Sequence, residues 1–148
     1  MAVATDFQDL RTGLSVTHYL SGDASAAKDM GWVDMRDYDA ILITVHAAAL
    51  TGNGVTVFSI IANADSAGGD TDATIKTHAV ASAPDAAGDY LVLEASAAEI
   101  QGASTSATGA LRYVSAAVTA ANAADNIAVT YVRKAKHSKL NLTADSVA

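Results

Sequence analysis

The sequence predicts a mostly β chain, an all-antiparallel sandwich or barrel with at most one short helix. Three observations carry this. About seven or eight apolar runs of strand length are separated by turn-rich loops, the spacing of sandwich and barrel folds. The clearest run, residues 40–49 (AILITVHAAA), places Ile41, Ile43, Val45 and Ala47 on one face at period two. The alanine-rich stretches 47–49, 79–87 and 116–124 are broken by Gly, Asn, Asp, Thr and Val, so no helical period of 3.6 is sustained.

In chain order, residues 1–13 show no period and read as an N-terminal arm or edge segment. Residues 14–20 (LSVTHYL) alternate as a strand, and 21–27 (SGDASAA) read as a loop. Residues 29–39 (DMGWVDMRDYD) mix large side chains with carboxylates, as in a short strand with a turn. After the strand at 40–49, Thr51-Gly52-Asn53-Gly54 carries an Asn-Gly pair suited to a type I′ turn, which predicts a hairpin into a strand at 55–62. A polar loop, NADSAGGDTD, leads to a strand at 73–80, and the loop beyond it holds the only proline, Pro84. Residues 90–95 (YLVLEA) form another strand. Ser96 and Glu99 then have capping-box spacing, predicting one short helical turn. Two further strands, 111–119 and 127–133, flank an alanine-rich turn. With no internal repeat and no long linker, the chain reads as one sandwich domain, 14–135, between an arm (1–13) and a tail (136–148).

A chain of 148 residues is long enough for one core, burying roughly 68–70% of its unfolded surface. The apolar fraction is 51%, but alanine supplies much of it and aromatics only 5%, so a thin core is expected, with neighbouring chains adding burial. Cysteine is absent, which excludes disulfides, thiolate zinc sites and cysteine nucleophiles. The start has no basic region followed by an apolar block, and no run approaches the ~20 residues of a membrane helix, so folding in the cytoplasm is expected, with no membrane partner. A net charge of −7 argues against general or sequence-specific nucleic-acid binding. The charge is uneven, because Arg133, Lys134, Lys136 and Lys139 cluster near the C-terminus.

No motif has the layout of a catalytic, cofactor or metal site, so neither an enzyme nor a cofactor is expected. Asp65, Asp70 and Asp72, with two glycines between them, could wrap calcium but lack EF-hand spacing, and the loop reads as a solvated hairpin connection. His18, His46, His78 and His137 are scattered; His46 should point away from the core with Leu42 and Thr44. There is no Gly-x-Ser-x-Gly elbow, and residues 102–109 (GASTSATG) lack the Gly-Lys-Ser/Thr ending of a phosphate loop and read as mobile. Asp34, Asp37 and Asp39 could line a cleft with Trp32 and Tyr38, and Trp32 beside Arg36 could form a sugar platform. The alternative is that Trp32, Arg36 and Tyr38 belong to the core or to a subunit interface. The basic tail Arg133, Lys134, Lys136 and Lys139 is the second candidate interface, followed by the apolar Leu140 and Leu142.

Three segments, GWVDMRDYDAILITV, DYLVLEASAAEI and LRYVSAAVTAANAADNIAVTYVRKA, carry a resemblance in layout to small structural proteins of tailed bacteriophages, the head decoration or cement proteins. The resemblance runs roughly over residues 30–136. It implies a jelly-roll-like sandwich with extended terminal arms, acting as a dimer or trimer on the outer surface of a virion capsid and bound to the major capsid protein. A head–tail connector, tail-tube or tail-terminator subunit has a similar layout. A carbohydrate- or calcium-binding sandwich module is the reading from a different class.

Overall fold

The computed structural model describes residues 14–21, 28–49, 55–78, 89–120 and 126–136. The predicted N-terminal arm, the Asn53-Gly54 turn, the Pro84 loop and the tail beyond Lys136, with His137 and Lys139, lie outside the described residues. Among the described residues the strands are β1 (Leu14–Ser21), β2 (Lys28–Asp29), β3 (Val33–Asp34), β4 (Tyr38–Ala49), β5 (Val55–Asn63), β6 (Ala73–Thr77), β7 (Tyr90–Ser96), β8 (Tyr113–Ala120) and β9 (Asn126–Ala135), with one helix, α1 (Ala97–Gly102).

One sheet runs β1-β9-β4-β7; the other runs β8-β5-β6, with β2 and β3 sharing the outer edge of β8. Every pairing is antiparallel. The pairs β1–β9, β2/β3–β8, β4–β7 and β5–β6 form one long two-stranded ribbon, and the β9–β4 and β8–β5 ladders close it into two sheets. That is the wrapped-ribbon connectivity of a jelly roll.

This connectivity overturns the Asn-Gly hairpin prediction. β4 and β5 do not pair, because β7 and β9 occupy both edges of β4 while β6 and β8 occupy both edges of β5. The chain passes from one sheet to the other between them. A turn-competent dipeptide permits a reversal, but the choice of partner belongs to the long ladder that β4 makes with β9.

The core lies between the sheets, with Ile41, Ile43, Val45, Ile127, Val129 and Tyr131 facing Val55, Phe58, Ile60, Val114 and Val118. A register shift between Val55 and Val57 leaves Thr56 and Val57 outward and brings Phe58 inward, so strict alternation fails at the start of β5. The expected alanine-based core is also corrected. Ala47, Ala62, Ala95 and Ala116 are its only alanines among the described residues. The bulk comes from branched and aromatic side chains, each contributing roughly 1.5–3 kcal/mol when fully buried.

The ambiguous stretch around Trp32 is a strand broken in two. Gly31 has φ 90°, which lifts the chain off β8 between β2 and β3. Trp32 then lies against Gly68 (φ +70°), where a Cβ would sit 2.7 Å from three indole atoms. The loop holding Gly68 joins β5 to β6 as predicted, and buried Asn63 organises it. Asn63 Nδ2 donates to Asp70 O (2.8 Å) and Asp72 Oδ1 (2.6 Å), and Oδ1 accepts from Asp65 N (2.7 Å). The capping box forms as predicted, with Glu99 N donating to Ser96 Oγ and Ser96 N to Glu99 Oε2. The stretch read as a mobile glycine–hydroxyl loop is closed by its own bonds. Thr105 Oγ1 accepts from Thr108 N (3.1 Å) and Gly109 N donates to Thr105 O (2.9 Å).

Candidate interaction surfaces

Local backbone bonding makes the turn between β3 and β4. Asp34 Oδ1 accepts from Arg36 N (2.8 Å), and Tyr38 N donates to Met35 O (3.1 Å). Cations from distant parts of the chain then converge on it. Arg112 grips Asp34 through two nitrogens, Nε at 2.8 Å from Oδ1 and a second contact to Oδ2. Arg133 donates to Asp34 O (2.8 Å) and lies over the Tyr38 ring, 4.3 Å from its centroid. Lys136 donates through its backbone to Asp37 O (2.9 Å) and through Nζ to Arg36 O (2.8 Å). Arg36 and Lys136 are both exposed and form no ion pair among the described residues. Four of the nine Lys and Arg side chains thus meet at one end of an acidic chain.

A groove of about 380 Å³ opens beside them, floored by Met35, Ile100 and Leu111 and edged by Arg36, Gln101 and Lys136. The two sequence candidates, the Trp32–Tyr38 segment and the basic C-terminal run, therefore share one site at Arg36, Tyr38, Arg133 and Lys136. Arg133 and Lys134 are strand residues of β9, so the basic run begins inside the sheet rather than in a tail. Lys134 is exposed and alternates to the opposite face from Arg133. Trp32 is half-buried against Gly68, away from this groove's lining. One face of the Tyr38 ring carries the Arg133 guanidinium.

Asp34 is part of the scaffold. Hydrogen bonding from Arg112 holds its carboxyl down to about 2, from an ordinary 3.8, against a smaller opposing effect of burial. Because the folded state binds this proton less readily than the unfolded chain, the contribution to stability is complete above pH 4 and disappears as pH falls through about 2. The side chain is 39% exposed, so solvent screening limits the contribution to about 1 kcal/mol. Asp34→Asn should lower stability by about 1 kcal/mol at pH 7 and remove this part of the acid dependence. Urea unfolding from pH 7 to pH 2 measures both, and a variant that parallels the parent at every pH contradicts the assignment.

In the acidic β5–β6 loop, Asp65 Oδ1 accepts from Ala67 N (2.6 Å) and Asp72 Oδ1 from Asn63. These carboxylates cap their own loop. Among the described residues no group of three His, Asp or Glu side chains is arranged to hold a metal ion. Glu99 is engaged likewise: hydrogen bonds from Lys76 and then from Ser96 hold its carboxyl down to about 2.

A second surface went unrecognised in the sequence. The outer face of the β1-β9-β4-β7 sheet carries Val16, Val132 and Leu42 in one row, continued by Thr130, Thr44 and Val92 and then by Ala128, His46 and Tyr90. His46 does point outward with Leu42, as predicted, and its ring lies 5.8 Å from that of Tyr90. Tyr90 is 63% exposed and Val16 54%. Among the described residues charge gathers at one end, where Glu94 stands beside Leu42, Lys134 lies one row further on, and the Lys76 and Glu99 side chains line the same hollow. The signal was present in YLVL and ILITV, where apolar residues occupy both faces of a strand instead of alternating with polar ones.

Jelly-roll connectivity defines the chain as an antiparallel β-sandwich. No protein-family model matches the chain, and no curated protein does. Among solved structures, one similar chain comes from Bacillus endospore appendages, described as a novel family of disulfide-linked pili. It aligns with a TM-score of 0.46 and 11% identity, covering 82% of this chain and 86% of its own. A likeness at that level carries no argument about function.

Proposed function

We propose that this protein is a structural virion subunit, a decoration or cement protein that binds the major capsid protein on the outer surface of a phage head and stabilises the shell. The observation that carries the reading is the basic end, formed where Arg36 and Lys136 meet through a 2.8 Å hydrogen bond on a chain of net charge −7. One cationic end on an acidic body orients a subunit towards an acidic surface. Attachment repeated over many copies needs little affinity at each site to reinforce the whole.

Quantitative mass spectrometry of purified particles tests this. A ratio to the major shell protein near one, or a simple fraction of it, supports decoration. A handful of copies per particle assigns the chain to the connector or tail, and complete absence sinks the virion reading. Within a confirmed particle, Arg36→Glu with Lys136→Glu should reduce attachment roughly tenfold or more at ~0.15 M salt, because two exposed cations become repulsive. The melting temperature of the isolated protein should stay within a few degrees of the parent, since both side chains are exposed. Undiminished attachment rules out the basic end.

A further inference from the structure

From the outer face of the β1-β9-β4-β7 sheet we infer that the protein pairs with a second copy of itself, sheet against sheet, about a two-fold axis running along the strands between β4 and β9. The inference is independent of where the protein attaches.

The face is self-complementary. Such an axis lays β9 over β4 and β1 over β7 of the second copy, so Leu42 meets Val132 of the second copy and Val132 meets its Leu42, as an isologous contact requires. On the two middle strands, the positions from Leu42 and Val132 through Thr44 and Thr130 to His46 and Ala128 carry no carboxylate, lysine or arginine, and Glu94 stands at the β7 edge of the Leu42 row. At the charged end, Glu94 on β7 comes one strand and one row from Lys134 of the second copy, and the operation repeats that opposite-charge approach symmetrically.

The size also fits. Four strands at ~4.8 Å spacing, over the ladder from Ala40 to His46 at ~3.3 Å per residue, present roughly 440 Å² in projection. Two copies bury about 900 Å² before the relief of protruding Tyr90 and Val16 is counted, which brings the pair to the ~1,000 Å² of a specific but modest interface. Self-association in the micromolar range is therefore expected. The other sheet lacks such a face: Val57 is its one exposed large apolar residue among those described.

Sedimentation equilibrium of the full chain from about 10 to 200 µM reads the result directly. The parent should form dimers. Leu42→Lys should shift it to monomer, weakening association roughly tenfold or more, while the fold keeps its stability because the new ammonium lies beside Glu94 on the paired strand. Val57→Lys, equally exposed on the other sheet, should leave the dimer unchanged. The chain has no cysteine, so Thr44→Cys near the axis should be joined to its counterpart by a short bis-maleimide, and Val57→Cys should not. A parent that stays monomeric to ~200 µM, a closed trimer, or a Leu42→Lys dimer as tight as the parent would each overturn the inference.

Discussion

Replacing Tyr131 by phenylalanine should lower the free energy of unfolding by about 2–3 kcal/mol, although the substitution removes a single oxygen. Tyr131 is fully buried on β9, and its ring crosses the core towards the other sheet. There the hydroxyl accepts from Ala116 N (2.9 Å) and donates to Met30 O (3.2 Å). The site is the gap in the edge strand of β8: β2 pairs at Ala117 and Val118, β3 pairs at Tyr113 and Val114, and Gly31 turns the chain between them. Ala116 directs both its polar groups towards this gap, its carbonyl accepting from Met30 N (3.0 Å) and its N–H finding only the phenol. Phenylalanine fills the same volume but leaves a buried N–H unpaired, a loss of about 1–3 kcal/mol, with the weaker bond to Met30 O in addition. Set against typical domain stabilities of 5–15 kcal/mol, that is a large fraction. Urea unfolding should show a lower midpoint with the slope unchanged. A change below about 0.5 kcal/mol would mean that the hydroxyl does not join the sheets.

Asn63→Ala should destabilise the protein by about 2–4 kcal/mol and release the loop between β5 and β6. The amide is buried at the end of β5 and makes three hydrogen bonds to that loop, at Asp65, Asp70 and Asp72. Alanine leaves Asp65 N and Asp70 O without these partners and opens a small void. Asn63→Asp should be worse at neutral pH, since it places a carboxylate against Asp72 where a donor is needed. The loop brings Gly68 against Trp32, the only tryptophan in the chain, so loosening should red-shift the intrinsic fluorescence along with the loss of stability. A full loss of stability with unaltered emission would place the effect elsewhere than in the loop.

The candidate site was legible in parts and hidden as a whole. Arg36, Tyr38, Arg133, Lys134 and Lys136 stood out by residue type and local charge. That Lys136 reaches the carbonyl of Arg36, and that Arg133 leaves the basic run to cover Tyr38, depends on β9 lying beside β4. Arg112 went unread because it is alone among apolar neighbours, and only the fold brings Asp34 to it. The outer apolar face was legible in principle, from strands without polar alternation, but its rows exist only once four non-consecutive strands are in register.

By itself the sequence determined what acts over a few residues: the period-two face of β4, the capping box at Ser96 and Glu99, the reversal between β5 and β6, and an antiparallel β architecture. Backbone sterics, side-chain alternation and local hydrogen bonding set these, and all are written in neighbouring positions. Tertiary structure alone decided that the chain crosses between sheets after β4 instead of forming the Asn-Gly hairpin, that Gly31 breaks the edge strand, and that Tyr131 bridges the break. The physical reason is competition. Each strand has two edges and each buried polar group needs a partner, and which of many distant candidates takes them is settled by the ladders and core contacts of the whole sandwich together.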